Sequence, residues 1–144
     1  MDSTSQKTTI LPGRRALHGK ATTMLPNPNS GKPGLVFCEI AHLGKLNIRA
    51  DKSVGKIIKS TTGCTFPPAA NKFTTAGERH VIWLGPDEFM IICETGKDEE
   101  LASAIHASLG SQHAAVTNLT DALAAFHLKG AAVRQVLAKG CALD

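Results

Sequence analysis

Two apolar runs, residues 81–84 and 89–93, flank the four residues Gly85-Pro86-Asp87-Glu88. The runs are rich in valine, isoleucine, tryptophan and phenylalanine, which suit a pleated, half-buried strand. Pro86 presets φ for the second position of a type I turn and Asp87 suits the third. The stretch therefore predicts a β-hairpin. Both faces of its strands are apolar, so it belongs in the middle of a sheet, covered on at least one side, with Trp83 at its heart. Upstream, Lys45-Leu46-Asn47-Ile48-Arg49 alternates polar and apolar and predicts a strand with Leu46 and Ile48 inward. Asp51 or Ser53 can then cap a helix. Val54, Ile57 and Ile58 line one side of it and Lys52, Lys56 and Lys59 the other, with Gly63 as a left-handed stop. Residues 64–77 contain Pro67-Pro68 and read as a loop with at most a short edge strand.

Downstream of the hairpin, Thr95 and Asp98 resemble a capping box, and Asp98, Glu99 and Glu100 favour a helix start. Leu101, Ile105 and Leu109 recur at i, i+4 and i+8, and Gly110 ends that helix. Residues 114–119 predict a strand, Thr120-Asp121 a turn, and 124–129 the second strand of a pair, with Phe126 and Leu128 on one face. Residues 131–139 predict a third helix with Val133, Val136 and Leu137 inward, stopped by Gly140. This order fits an α+β domain of one mostly antiparallel sheet with helices on one face.

Order is expected from near Leu35, which divides the chain into a tail, 1–34, and a domain, 35–144. The tail holds Pro12, Pro26, Pro28 and Pro33, four glycines and many small polar residues, with no sustained period. Such a segment is disordered alone or extended across something else. Leu11, Leu17, Met24 and Leu25 are candidate anchors in the second case, with Arg14 and Arg15 as charged contacts. Pro86 and Asp87 are the other candidates for meeting a partner, although a plain surface turn has the same composition.

Charge sharpens this division. The formal net charge of the 144 residues is +4. Residues 1–34 carry five basic residues and one acid, Asp2, so the whole excess lies in the tail. The domain has no basic surplus to attract nucleic acid. No run of ~18 apolar residues predicts a transmembrane helix. No apolar segment near the start resembles a secretory signal. Cys38, Cys64, Cys93 and Cys141 are far apart and form no C-x-x-C pair, which fits reduced thiols in a cytoplasmic protein. Cys93 lies in an apolar strand and reads as packed rather than reactive.

Candidate chemistry is sparse. Neither G-x-x-x-x-G-K-[ST] nor G-x-G-x-x-G occurs, so no phosphate loop is predicted. His18, His42, His80, His106, His113 and His127 are scattered, with no metal-binding spacing. Asp87 and Glu88 sit at a turn tip without the desolvation a general acid needs. Tyrosine is absent, which weakens any aromatic platform for RNA. The residues predict no catalytic, cofactor or metal site, and so a module that works by contact.

Trp83-Leu84-Gly85-Pro86-Asp87-Glu88-Phe89 resembles the W-L-G-P-D-E-[WF] hairpin of the gamma subunit of heterotetrameric sarcosine oxidase. The strand Leu46-Asn47-Ile48-Arg49 and the loop Phe66-Pro67-Pro68 fit the same family. So does the closing Val133-Arg134-Gln135-Val136-Leu137-Ala138-Lys139-Gly140-Cys141-Ala142-Leu143-Asp144, which ends close to V-L-A-K-G-C-x-L-D. His127-Leu128-Lys129-Gly130-Ala131-Ala132 departs from L-S-G-P-x-A at Lys129 and Ala131 and keeps Gly130. The resemblance runs from about Leu35 to Asp144. Such subunits continue for a few strands further, which implies a domain truncated at its C-terminal end.

The resemblance implies a fold related to the folate-binding aminomethyltransferase domain. It also implies a complex that demethylates sarcosine to glycine, forms hydrogen peroxide and yields 5,10-methylenetetrahydrofolate. FAD, FMN, NAD and tetrahydrofolate are then expected in the alpha and beta subunits and zinc in delta. The gamma subunit supplies no catalytic residue; its partners are alpha, beta and delta, with no nucleic acid and no membrane. Two rival readings stand beside this one. A stand-alone folate-dependent aminomethyltransferase needs a second domain to close its pocket. A small RNA-binding module would use the basic tail, with salt-dependent affinity.

Overall fold

The computed structural model describes residues 23–26 and 33–141. In chain order these form β1 (Thr23–Pro26), β2 (Pro33–Ile40), β3 (Gly44–Ala50), α1 (Gly55–Thr62), β4 (Phe73–Ala76), β5 (Arg79–Gly85), β6 (Glu88–Cys93), α2 (Asp98–Leu109), β7 (Ala114–Asn118), β8 (Ala125–Lys129) and α3 (Val133–Gly140). A single 3-10 turn, Lys52–Val54, leads into α1.

The predicted hairpin is β5–β6. Trp83 pairs with Phe89 and Gly85 with Glu88, so Leu84 is an extra residue on β5. Pro86 cannot take the positive φ that the hairpin-favoured primed turns require, and Asp87 does not have one. A turn of the ordinary hand splays its strands, and the bulge at Leu84 absorbs the mismatch. Around this hairpin a five-stranded antiparallel sheet runs β4-β5-β6-β3-β7, with β4 at one edge as expected.

One face of this sheet carries Leu46, Ile48, Val81, Phe89, Ile91 and Cys93. Val54 and Ile58 of the α1 region and Leu101, Ile105 and Leu109 of α2 pack with them in one buried cluster. Trp83, placed by the sequence at the heart of the hairpin, packs against that cluster but is only half-buried. At the start of the 3-10 turn that leads into α1, the Asp51 carboxylate accepts from the Ser53 amide at 2.8 Å; α1 itself has no side-chain cap. At its end Gly63 takes φ +80° and donates to the Lys59 carbonyl. Lys52, Lys56 and Lys59 are outside and exposed.

Arg79 ties the hairpin to α1. Its Nε donates to the Glu94 carboxylate at 2.9 Å and its Nη1 to the Thr61 carbonyl at 3.0 Å. The Arg79 hydrogen bond holds the Glu94 carboxyl below the usual carboxylate range. A group with a lowered folded pKa stabilises above its unfolded value, ~4.3 for Glu, and loses that contribution as pH falls through the folded value. Glu94→Gln should therefore flatten the fall in melting temperature between pH 7 and pH 3. An identical fall in parent and variant would remove Glu94 from the acid response.

Several expectations are corrected. The capping box at Thr95 and Asp98 is absent: the Thr95 hydroxyl donates to the Ala41 carbonyl, and no side chain caps α2. Asp98 instead accepts from Asn118 Nδ2 at 2.8 Å, which clamps α2 to β7. The strands fall in two sheets rather than one, the second ordered β1-β2-β8. The predicted strand pair at 114–129 is split between them, β7 beside β3 and β8 beside β2. Bonds from Leu119 N to the Lys45 carbonyl and from Lys45 N to Thr120 Oγ1 turn the chain away after β7. β1 and the start of β2 lie inside the segment read as a tail. β1 is made by pairing: Thr23, Met24 and Leu25 face Phe37, Val36 and Leu35.

The third helix forms, but its inward face does not. None of its residues is buried, and Val136 and Leu137 are 36% and 48% exposed. Periodicity marks an apolar stripe without saying that the same chain covers it. The architecture is a mostly antiparallel α+β domain with α1 and α2 on one face of the larger sheet. Among the described residues no helix is long and apolar enough to cross a membrane.

Candidate functional site

Pro86 and Asp87 stand exposed at the tip of the β5–β6 hairpin. The tip is held down at its base, where the Ala50 amide donates to the Asp87 carbonyl at 2.9 Å. Beneath it Arg49, Asp51, Ser53, Gln112 and His113 join Asp87 around a cleft of about 530 Å³. The Asp51 carboxylate in this cleft is occupied as the helix cap. Among the described residues, no hydrogen bond links the titratable side chains of the cleft to one another. On the sheet beside it Glu88 accepts from Asn47 Nδ2 at 2.8 Å and meets Arg49 at 3.4 Å. The tip is thus a polar knob tied to β3 at its base, with Arg49 and Glu88 paired beside it.

The face of β4, β5 and β6 turned away from α1 and α2 is different in character. Phe73, Ile82 and Met90 share one register row across the three strands. Phe73 is 65% exposed and Leu84 43% exposed, while Ile82 and Met90 are half-buried. The Phe73 ring sits edge-on to His80 at 6.3 Å, and His80 Nδ1 lies 3.0 Å from the Thr75 hydroxyl. Apolar side chains exposed side by side, rimmed by polar ones, suit contact with another macromolecule. Polar tip and apolar row together form a surface suited to contact with another macromolecule.

Of the residues expected at an interface, Pro86 and Asp87 are on this surface. Met24 and Leu25 lie in β1, at the edge of the other sheet. Leu11, Arg14, Arg15 and Leu17 lie outside the described residues. The apolar row was missed, although its signal was present: both faces of the hairpin strands are apolar, and the structure covers only one.

Among the described residues no group of three His, Cys, Asp or Glu is placed to hold a metal ion. Cys93 is fully buried, and burial, with Asp98 and Glu94 nearby, pushes its thiol up to about 11. It stays protonated at neutral pH and is a poor nucleophile. A chromogenic disulfide reagent should label exposed Cys141 first and leave Cys64 and Cys93 intact until the chain unfolds. Labelling of all four at one rate in native buffer would contradict this.

Comparison with known proteins adds a family. The model of the sarcosine oxidase, gamma subunit family matches residues 47–144. The sarcosine oxidase subunit gamma of Corynebacterium sp. (strain U-96) is 30% identical over 120 residues, 80% of this chain and 57% of the relative. That of Arthrobacter sp is 33% identical over 113 residues, 76% of this chain and 55% of the relative. The chain therefore spans a little over half the length of these curated relatives. Among solved structures, a chain of the heterotetrameric sarcosine oxidase from Corynebacterium sp. U-96, in complex with pyrrole 2-carboxylate, superposes with TM-score 0.67 at 28% identity, covering 76% of this chain and 57% of that one. The glycine cleavage system aminomethyltransferase T from Bartonella henselae superposes with TM-score 0.54 at 14% identity, over 72% of this chain and 31% of that one, a likeness of fold.

Proposed function

The chain belongs to the sarcosine oxidase, gamma subunit family, and from that premise we propose that it serves as the non-catalytic gamma subunit of a heterotetrameric sarcosine oxidase. In this reading the assembled enzyme demethylates sarcosine to glycine, reduces oxygen to hydrogen peroxide and passes the one-carbon unit to tetrahydrofolate. FAD, FMN, NAD and tetrahydrofolate are carried by the alpha and beta subunits and zinc by delta. This chain contributes surface. The complex works in the cytoplasm, where four unpaired cysteines are ordinary. The observation that carries the reading is the family match over residues 47–144. The exposed apolar row and polar hairpin tip described above suit a subunit that acts by docking.

The interface is proposed to use Pro86 and Asp87 at the hairpin tip, Met24 and Leu25 of β1, and Leu11, Arg14, Arg15 and Leu17 of the preceding tail. A tail with spaced apolar residues and excess positive charge can order on contact with a neighbour. β1 begins at Thr23, so removal of residues 1–20 spares every described strand. Tagged full-length chain recovered from its native host should bring two flavin-bearing polypeptides with it. The chain lacking residues 1–20 should bring less of them, and less still at moderate salt. Recovery of the full chain alone would overturn the subunit reading. Equal yields from both forms would remove the tail from the interface.

A further inference from the structure

The lysine side of α1 faces a second cleft that the subunit reading does not use. Lys52, Lys56 and Lys59 form one wall and Phe66, Pro67 and Pro68 the other, around about 390 Å³. All three lysines are exposed, and no ion pair or hydrogen bond engages their ammonium groups among the described residues. The lack of acids is a property of the chain as well as of the cleft. From residue 52 to residue 77 there are four lysines and no aspartate or glutamate. Charges of one sign along a helix side repel one another. Here they are gathered in a domain whose basic and acidic residues balance only when these lysines are counted. Opposite them the Phe66 ring is held rigidly, stacked on Phe89 with centroids 4.1 Å apart. Gly55 keeps the throat open, since a Cβ there would already touch that ring at 3.5 Å.

We infer that this cleft binds an acidic peptide segment of a partner polypeptide, its carboxylates on the three ammonium groups and an apolar side chain against Phe66 and Pro68. The lysines span two turns, about 10 Å along the axis. An extended peptide covers that length in three to four residues, at ~3.3 Å each, and places every second side chain on the same side. Two carboxylates at alternate positions, ~6.6 Å apart, therefore fall within the length of the lysine row and share its three ammonium groups. A free phosphate is a poorer match. The cleft has no arginine fork to grip one, and its far wall is carbon.

The test uses the full chain and a fluorescein-labelled peptide of alternating leucine and glutamate, followed by polarisation at low salt. Saturable one-to-one binding is expected, weakened at least tenfold at 0.5 M salt. The triple variant Lys52→Gln, Lys56→Gln, Lys59→Gln should lose at least tenfold in affinity. Gly55→Leu, which fills the throat and leaves the lysines in place, should lose a similar factor. Circular dichroism establishes that both variants are folded. The inference is overturned if the peptide does not bind at 100 µM chain, or if a peptide with glutamine for glutamate binds as well. It is also overturned if either folded variant keeps its affinity, or if millimolar pyrophosphate displaces the peptide from both parent and Gly55→Leu alike. The last outcome would mark a simple anion patch. No partner subunit enters the experiment, so its failure leaves the assembly reading standing and the converse also holds.

Discussion

Replacing Phe89 by alanine is expected to leave the chain largely unfolded at physiological temperature. Phe89 has no solvent exposure and sits between Trp83 of β5 and Ile48 of β3 in the register of the sheet. Its ring also stacks on Phe66 at 4.1 Å with 19° between planes, so it ties the sheet to the 64–68 loop. Truncating a buried phenylalanine costs ~3–5 kcal/mol, because the neighbours relax only partly into the cavity. That is a large share of the ~5–15 kcal/mol that holds a domain folded. At about 3–5 °C per kcal/mol for a chain of this size, the melting point should fall by roughly 10–25 °C. Trp83→Ala should cost less, since Trp83 is only half-buried. Phe73→Ala, on the exposed apolar row, should stay within ~0.5 kcal/mol of the parent. If Phe89→Ala melts within a few degrees of the parent, the core is not organised around the hairpin.

Gly130→Ala is expected to release the three-stranded sheet while sparing the five-stranded one. Gly130 takes φ +136°, a conformation that side chains rarely adopt, and a Cβ there would overlap the Gly34 carbonyl oxygen. That carbonyl cannot swing aside cheaply, since it accepts from the Ala132 amide at 2.9 Å. Backbone strain of this kind costs ~1–3 kcal/mol before the overlap is added. Hydrogen exchange should show the amides of β8 losing protection while those of β5 and β6 keep theirs. Gly77→Ala is the control: its φ is +61°, but nothing lies within 4 Å of the added Cβ. Unchanged protection in β8 would mean that the close approach of Gly130 and Gly34 carries no strain.

Where period and punctuation agreed, the sequence was a reliable guide. The β5–β6 hairpin, β3, the Asp51-capped turn leading into α1, α1 with its Gly63 stop, and α2 with Leu101, Ile105 and Leu109 inward all have both signals. β1 and β2 were missed because Pro26, Pro28, Pro33 and several glycines and asparagines around them outweigh a short apolar run. Only the pairing of Met24 with Val36 and of Phe37 with Leu128 makes strands of them. The separation of β7 from β8 was not legible, because adjacency in sequence says nothing of which sheet a strand joins. The hairpin tip could be read from Pro86 and Asp87. The basic cleft could not: it exists only because the loop after Gly63 folds Phe66 back over Gly55, and no spacing rule encodes that return.

The distance along the chain between β2 and β8 has a consequence for how the protein is made. Cys38 and His127 meet across a separation of 89 residues. β3, β5 and β6 are all complete once Cys93 has been synthesised, and loops of modest length close that part of the larger sheet. β2 has its second neighbour only after Lys129 has emerged. At ~5–20 residues per second on the ribosome, the interval between those two points is roughly 2–7 s. Throughout it the edge of β2, with Leu35 and Phe37, offers an unpaired strand to whatever is nearby. Pairing over that span is non-local, and non-local contacts favour slow folding. A nascent chain of this kind is most exposed to misassembly late in translation, and a chaperone that recognises extended apolar strands has its opportunity there.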